Sequence, residues 1–335
     1  MAPFFLPSIP WRRMTRFWTL GPFHVMVGPI RRNGNGELMS IAYAHELYDR
    51  LPNDIFVVKW DFDPTLIFFA FMLIFYIRGY RRFKKKPVKT WQLVCFFTGV
   101  ALCILGLMPP IDPLSDQLFW AHMIQHMIIA HLGIPLMLFG IPYFVILRGM
   151  PHWFRKLVYF PILRSGILTL LNKTIARPLP SLIFFEASFW FWHLPRFYNL
   201  ALLNDYFHLI EHANFALAGM LLWRNIIDPH PMKSPLPLPA RMLYLAAMEA
   251  SNIILSAILT FSDDVLYAYE GIPMPTWWAH WGHLQDQRLG GLIMWIPGGF
   301  INLMALTAVF FVWVHREQKQ NEGLASASVP DTAQA

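Results

Sequence analysis

Residues Phe119–His131 read FWAHMIQHMIIAH, a run apolar enough for a membrane interior that nevertheless carries His122, His126 and His131. Wound as a helix, the run places His122 and His126 one turn apart on one face, the spacing at which two imidazoles can meet one metal ion. His131, five positions on, is predicted to point well away from them. A histidine inside lipid costs free energy unless it has a partner, so each is a functional candidate. The alternative is that they only tie helices together through hydrogen bonds.

The composition sets the class. The chain has 335 residues, 56% of them hydrophobic and only 14% charged, with a mean hydropathy of +0.41, which describes a polytopic membrane protein rather than soluble domains. The formal charge of +7 does not point to nucleic acid, because the basic residues cluster in short loops between apolar spans, where they orient a protein in the bilayer. Cys95 and Cys103 fall in one span, roughly 12 Å of helical rise apart, too far for a disulfide. With no CxxC pair, a thiol copper chaperone or thiol oxidoreductase is disfavoured. A metal site would be built from His, Met and carboxylates.

In chain order, residues 1–60 form an extension too interrupted by Pro, Gly and charge to span, with His24 and His45 read as surface residues. Seven apolar spans follow, at about 64–80, 91–108, 117–138, 178–197, 206–227, 240–261 and 289–315, each close to the ~20 residues a crossing helix needs. The expected fold is all-α, a seven-helix transmembrane bundle over 61–316, with a disordered cytoplasmic tail over 317–335. A β-barrel is excluded by span length and lack of alternation. The strongly basic RGYRRFKKKPVK at 78–89 and the Arg and Lys residues between 148 and 177 should be cytoplasmic, which puts the N-terminus outside and the C-terminus inside.

That orientation gathers histidines at one leaflet. His122 and His126 enter from outside on the third span, His193 ends the fourth, and HLIEH places His208 and His212 on one face of the fifth, with His280 and His283 in the outer loop before Asp286 and Gln287. Two HxxxH pairs at matched depth, with His193 beside them, suit copper, zinc or haem iron; a purely structural hydrogen-bond cluster is the competing reading. Glu186 and Glu249 lie near mid-depth, and either can be a neutral structural group or handle protons or ions. Met123, Met127, Met248 and Met294 offer thioethers suited to Cu(I), although Met is also ordinary apolar filler.

Three stretches, WAHMIQHMIIAHLGIPLMLFGIP, FWHLPRFYNLAL with HLIEHANF close behind, and DQRLGGLIMWIPGG, resemble the successive motifs of the membrane-integral CtaG-type cytochrome c oxidase assembly factors, the seven-helix family. The likeness covers roughly 60–316 and includes WDFDP at 60–64; the long N-terminal stretch departs from the family's usual short start. The resemblance implies a bacterial inner-membrane protein, not an enzyme, that helps build haem–copper oxidase with copper as cargo or ligand, alongside oxidase subunits or other assembly factors. Its polar motif positions fall on His122, His126, His193, His208, His212, Asp286, Gln287 and Met294. Two other functions stay open: a membrane haem protein or quinone-linked oxidoreductase using the histidines as axial ligands, and a copper transporter with Glu249 and Met248 along its path.

Overall fold

A computed structural model of the chain describes residues 31–32, 38–39, 65–85, 88–229 and 233–327. The chain divides into two units, Met1–Glu46 and Leu47–Ala335. In the first, β1 (Arg31–Arg32) pairs antiparallel with β2 (Leu38–Met39), Arg31 facing Met39. His24, His45 and WDFDP lie outside the described residues.

In the second unit, helices occupy all seven apolar stretches: α1 (Thr65–Arg81), α2 (Thr90–Gly106), α3 (Phe119–Phe139), α4 (Pro178–His193), α5 (Asp205–Trp223), α6 (Leu238–Phe261) and α7 (Gly282–Ala327). By length and composition, three of them can cross a membrane: α3, α6 and the Gly282–Glu322 part of α7. Of the others, α1, α2 and α4 fall short in length, while α5, long enough at 19 residues, is made less apolar by Asp205, His208, Glu211, His212 and Asn214. Helices α1 and α2 have 17 residues each, about 26 Å of rise against a hydrocarbon core of about 30 Å. Helix α4 stops where Pro195 opens a separate short helix, Pro195–Leu202, because proline cannot donate the next intrahelical bond. Helix α7 continues through Ala327, into the first part of the stretch expected to be a disordered tail, carried by the helix-forming Glu, Lys, Gln and Ala beyond His315; residues 328–335 lie outside the described residues.

Close backbone approach holds the bundle together. A Cβ on Gly99 of α2 would stand 2.5 Å from the Gly133 carbonyl and 2.6 Å from Met137 N on α3, so only glycine lets these helices meet. On α1, Tyr76 donates to the Gly140 carbonyl (2.8 Å) and stacks on Phe96. Large apolar side chains such as Leu243, Phe261, Ile296 and Phe311 remain exposed on α6 and α7, the pattern of helices that meet lipid rather than water.

Helix α3 is not uniform. It is α-helical over Phe119–His126, widens to π over Met127–Gly133 and tightens again over Ile134–Phe139. Pro135 supplies a physical reason, since it cannot donate to the carbonyl one turn earlier and its ring crowds that turn. The widening overturns one expectation. Five residues of α-helix turn a side chain about 140° away, but in a π turn residues five apart share hydrogen bonding and lie nearly on one face. His131 therefore comes round to line the same cavity as His126.

Replacing Gly99 with Val is expected to destabilise the bundle by about 1–3 kcal/mol, the usual cost of overpacking, seen as a lower Tm in detergent and reduced accumulation. An unchanged Tm would show that α2 and α3 do not meet at this point.

Candidate metal centre

The cluster forms where the first turns of α3 and α5 face each other. Asn204 caps α5, accepting from the backbone N–H groups of Tyr206 (3.0 Å) and Phe207 (3.3 Å), and the helix then presents His208, Glu211 and His212 in its first two turns. Across from them stand His122 and His126. Ring centroids lie 4.5 Å apart for His122 and His126, 5.4 Å for His126 and His212, 4.3 Å for His212 and His208, and 5.2 Å for His208 and His122. Two ligand groups result, His122 with His126 and His212, and His122 with His208 and Glu211; within each, the donor atoms lie within 4.8 Å of one another.

Glu211 is only 1% exposed, and its two oxygens are shared between the helix partners: Oε1 lies 3.4 Å from His126 Nε2 and Oε2 3.8 Å from His122 Nε2. Sequence reasoning passes over this residue, although HLIEH carried the signal. A glutamate three positions after His208 and one before His212 is the H-x-x-E-H spacing seen at zinc sites, and a carboxylate buried among imidazoles rarely lacks a cationic partner.

Hydrogen bonds from the opposite side decide which nitrogen of His122 faces the cluster. The Tyr269 hydroxyl lies 3.0 Å from the Ser115 carbonyl, which can only accept, so the Tyr269 proton is committed there. The Tyr198 hydroxyl, 2.8 Å from that of Tyr269, must then donate to it. His122 Nδ1, 3.0 Å from Tyr198, is left as the donor to Tyr198, so its Nε2 carries the lone pair. The same counting applies to His193, whose Nδ1 lies 2.7 Å from the Phe189 carbonyl. Metal-binding imidazoles are ordinarily fixed in this way, with the remote nitrogen tied to a hydrogen-bond acceptor. Nε2 of His122, His126 and His212 is buried and has no hydrogen-bond partner. The donor set therefore fits a metal ion better than it fits a network of hydrogen bonds among the rings.

The other residues singled out from sequence take different places. His193 is not in either close ligand group; it sits against Phe189 and Phe215, lining the neighbouring cavity with Met294. His280 and His283 join no ligand group among the described residues. Asp286 faces backbone rather than the cluster: its carboxylate accepts from Phe119 N (2.8 Å) and Trp120 N (3.3 Å), capping a helix whose own N-cap, Leu118, has nothing to offer. Gln287 accepts from Leu266 N (2.7 Å) and donates to the Asp264 carbonyl (3.2 Å). That fixes the loop bearing Tyr267 and Tyr269, and Tyr267 in turn donates to the His193 carbonyl. Gly291 in the same motif lies where a Cβ would come 2.9 Å from Thr260 N, so α7 can press against α6. Glu249 is bonded to Asn302 of α7 at 2.5 Å, well removed from the imidazoles in sequence and in partners.

The chain thus combines helices long and apolar enough to cross a membrane with a buried cluster of imidazoles around one carboxylate, a donor set that could hold a metal ion. The family described as cytochrome c oxidase caa3 assembly factor matches residues 74–316, and the chain belongs to that family. Among curated proteins, two named as uncharacterized, from Mycobacterium bovis and Mycobacterium tuberculosis, are each 24% identical over 274 residues, 78% of this chain and 40% of theirs. One from Mycobacterium leprae is 23% identical over 287 residues, 80% of this chain and 41% of its own. The chain thus spans about two fifths of the length of the curated relatives it matches. No solved structure matches it.

Removing the cap on α3 tests the role of Asp286. Asp286→Ala should cost about 1–2 kcal/mol, measured as a lower Tm, whereas Asp286→Asn, which keeps one acceptor oxygen, should lose less. Equal losses would show that the charge rather than the hydrogen bonding matters there.

Proposed function

We propose that the protein is a non-catalytic assembly factor for haem–copper cytochrome c oxidase that binds or delivers copper through His122, His126, His208 and His212, with Glu211 as an additional donor. The observation that carries this reading is the convergence of buried, hydrogen-bond-free Nε2 atoms on His122, His126 and His212 beside a buried carboxylate. A structural cluster would use those atoms in hydrogen bonds, because leaving a buried one unmade costs about 1–3 kcal/mol.

The arrangement favours copper. A ligated ion sits about 3 Å from an imidazole centroid, so rings sharing one ion stand about 4–6 Å apart. The four rings make a quadrilateral with sides from 4.3 to 5.4 Å and a His122–His212 diagonal of 6.4 Å. Four imidazole rings at those separations, with a carboxylate oxygen, offer the nitrogen and oxygen donors that suit Cu(II). Haem is disfavoured because the other two imidazoles occupy the space where a porphyrin plane would separate an axial pair. A transport path through Glu249 has less support, since Asn302 already engages that carboxylate.

We place the cluster at the outer side of a bacterial inner membrane, in a seven-span bundle with its N-terminus out and its C-terminus in. Support comes from the basic segments. Arg82 donates to the Arg148 carbonyl (3.0 Å), and Arg148 follows the far end of α3 from His122, so the positive end of the bundle lies opposite the imidazoles. The partner would be an oxidase subunit or another assembly factor.

His126→Ala and His212→Ala should each abolish copper binding and oxidase maturation while the protein still accumulates, and His24→Ala should do neither. Retention of full copper content by both site variants overturns the assignment, and a Soret band in the purified protein would move it to haem. Bound copper should be released as pH falls below the imidazole range, because a protonated ring cannot ligate. Reporter fusions at Arg82 and Gln318 should read as cytoplasmic and at Asp263 as external; a cytoplasmic Asp263 reverses the proposed face.

A further inference from the structure

We propose a second metal site, selective for monovalent copper, in the cavity next to the imidazole cluster. The cavity measures about 30 Å³ and is lined by Met123, Met127 and Met294 together with His126, His131 and His193. Its remaining walls are largely aromatic, from Phe185, Phe189 and Phe215. The volume admits one or two water-sized guests.

Two imidazole nitrogens in this apolar chamber lack hydrogen bonds. His193 is 7% exposed, spends its Nδ1 proton on the Phe189 carbonyl and leaves Nε2 buried without a partner. His131 Nδ1 is likewise buried and without a hydrogen bond, brought to the cavity by the π segment. Water can satisfy two imidazoles, so the thioethers decide the chemistry. Sulfur of methionine is a weak hydrogen-bond acceptor but a good ligand for Cu(I), and three methionines meet here from two helices. Met294 is held in place, since Asn252 donates to its carbonyl at 3.0 Å. His126 belongs to both lining sets, so the two donor sets adjoin at one side chain while differing in chemistry, nitrogen and oxygen in one and thioether sulfur in the other.

The site stands on residues other than His122, His208, Glu211 and His212, which lets its test fail separately from that of the first. The full chain, purified in detergent, is loaded with Ag(I) as a stable stand-in for Cu(I), and bound silver is counted and examined by X-ray absorption. Wild-type protein should show sulfur in the silver coordination shell. The double variant Met127→Leu and Met294→Leu, close to volume-conserving, should lose one equivalent of silver together with that sulfur signal. His212→Ala should keep both. Silver bound through nitrogen and oxygen alone, no silver bound at all, or a sulfur signal unchanged in the double variant overturns the proposal; loss of the sulfur signal in His212→Ala would show that the cavity is not a separate site.

Discussion

The carboxylate of Asp286 on the amino end of α3 is the contact on which the site depends. Helix α3 begins at a leucine with no capping atom, so its first N–H groups, with their share of the helix dipole, would be unsatisfied without the acid from α7. His122 and His126 lie in the turns that this cap starts. The next two residues of α7 extend the same function. Gln287 fastens the loop around Leu266, and Arg288 donates to the Ser262 carbonyl at 3.0 and 3.2 Å. Three consecutive polar side chains thus register α3, the loop with its tyrosines, and the end of α6 against one helix.

Tyr198 and Tyr269 give that registration a chemical outcome. The Ser115 carbonyl takes the only proton Tyr269 has, and the direction of donation propagates through Tyr198 to His122. Burial pushes the Tyr269 phenol, in the loop between α6 and α7, above its ordinary range, so it remains a donor at any physiological pH. A backbone carbonyl several residues before α3 thereby determines which face of an imidazole is nucleophilic toward a metal.

Much of this was legible in the residues. Apolar runs of about 20 residues marked every helix from α1 to α7, because hydropathy needs no tertiary information. The i, i+4 spacing put His122 with His126 and His208 with His212, because helical periodicity alone decides which side chains share a face. The rest depended on partners that only folding supplies. Asp286 and Gln287 stood out only as motif positions; they bind backbone, and nothing in DQRLGG shows what the acid will meet. His193 was grouped by depth, but depth does not report lateral position. Glu211 was readable in HLIEH and passed over in favour of the flanking histidines.

The π segment of α3 makes two demands on one helix compatible. Above it, the helix must aim imidazoles at α5; at its lower end and just beyond, Gly133 and Met137 must lie flush against Gly99 of α2. A uniform α-helix couples those two directions rigidly, at about 100° per residue. One extra residue in the widened turn sets the phase between them, so α3 acts as two helices with a fixed angular offset, one half serving chemistry and the other assembly. Shortening that turn by a single residue would leave composition and hydropathy almost untouched while rotating the packing half out of register with the half that carries His122 and His126.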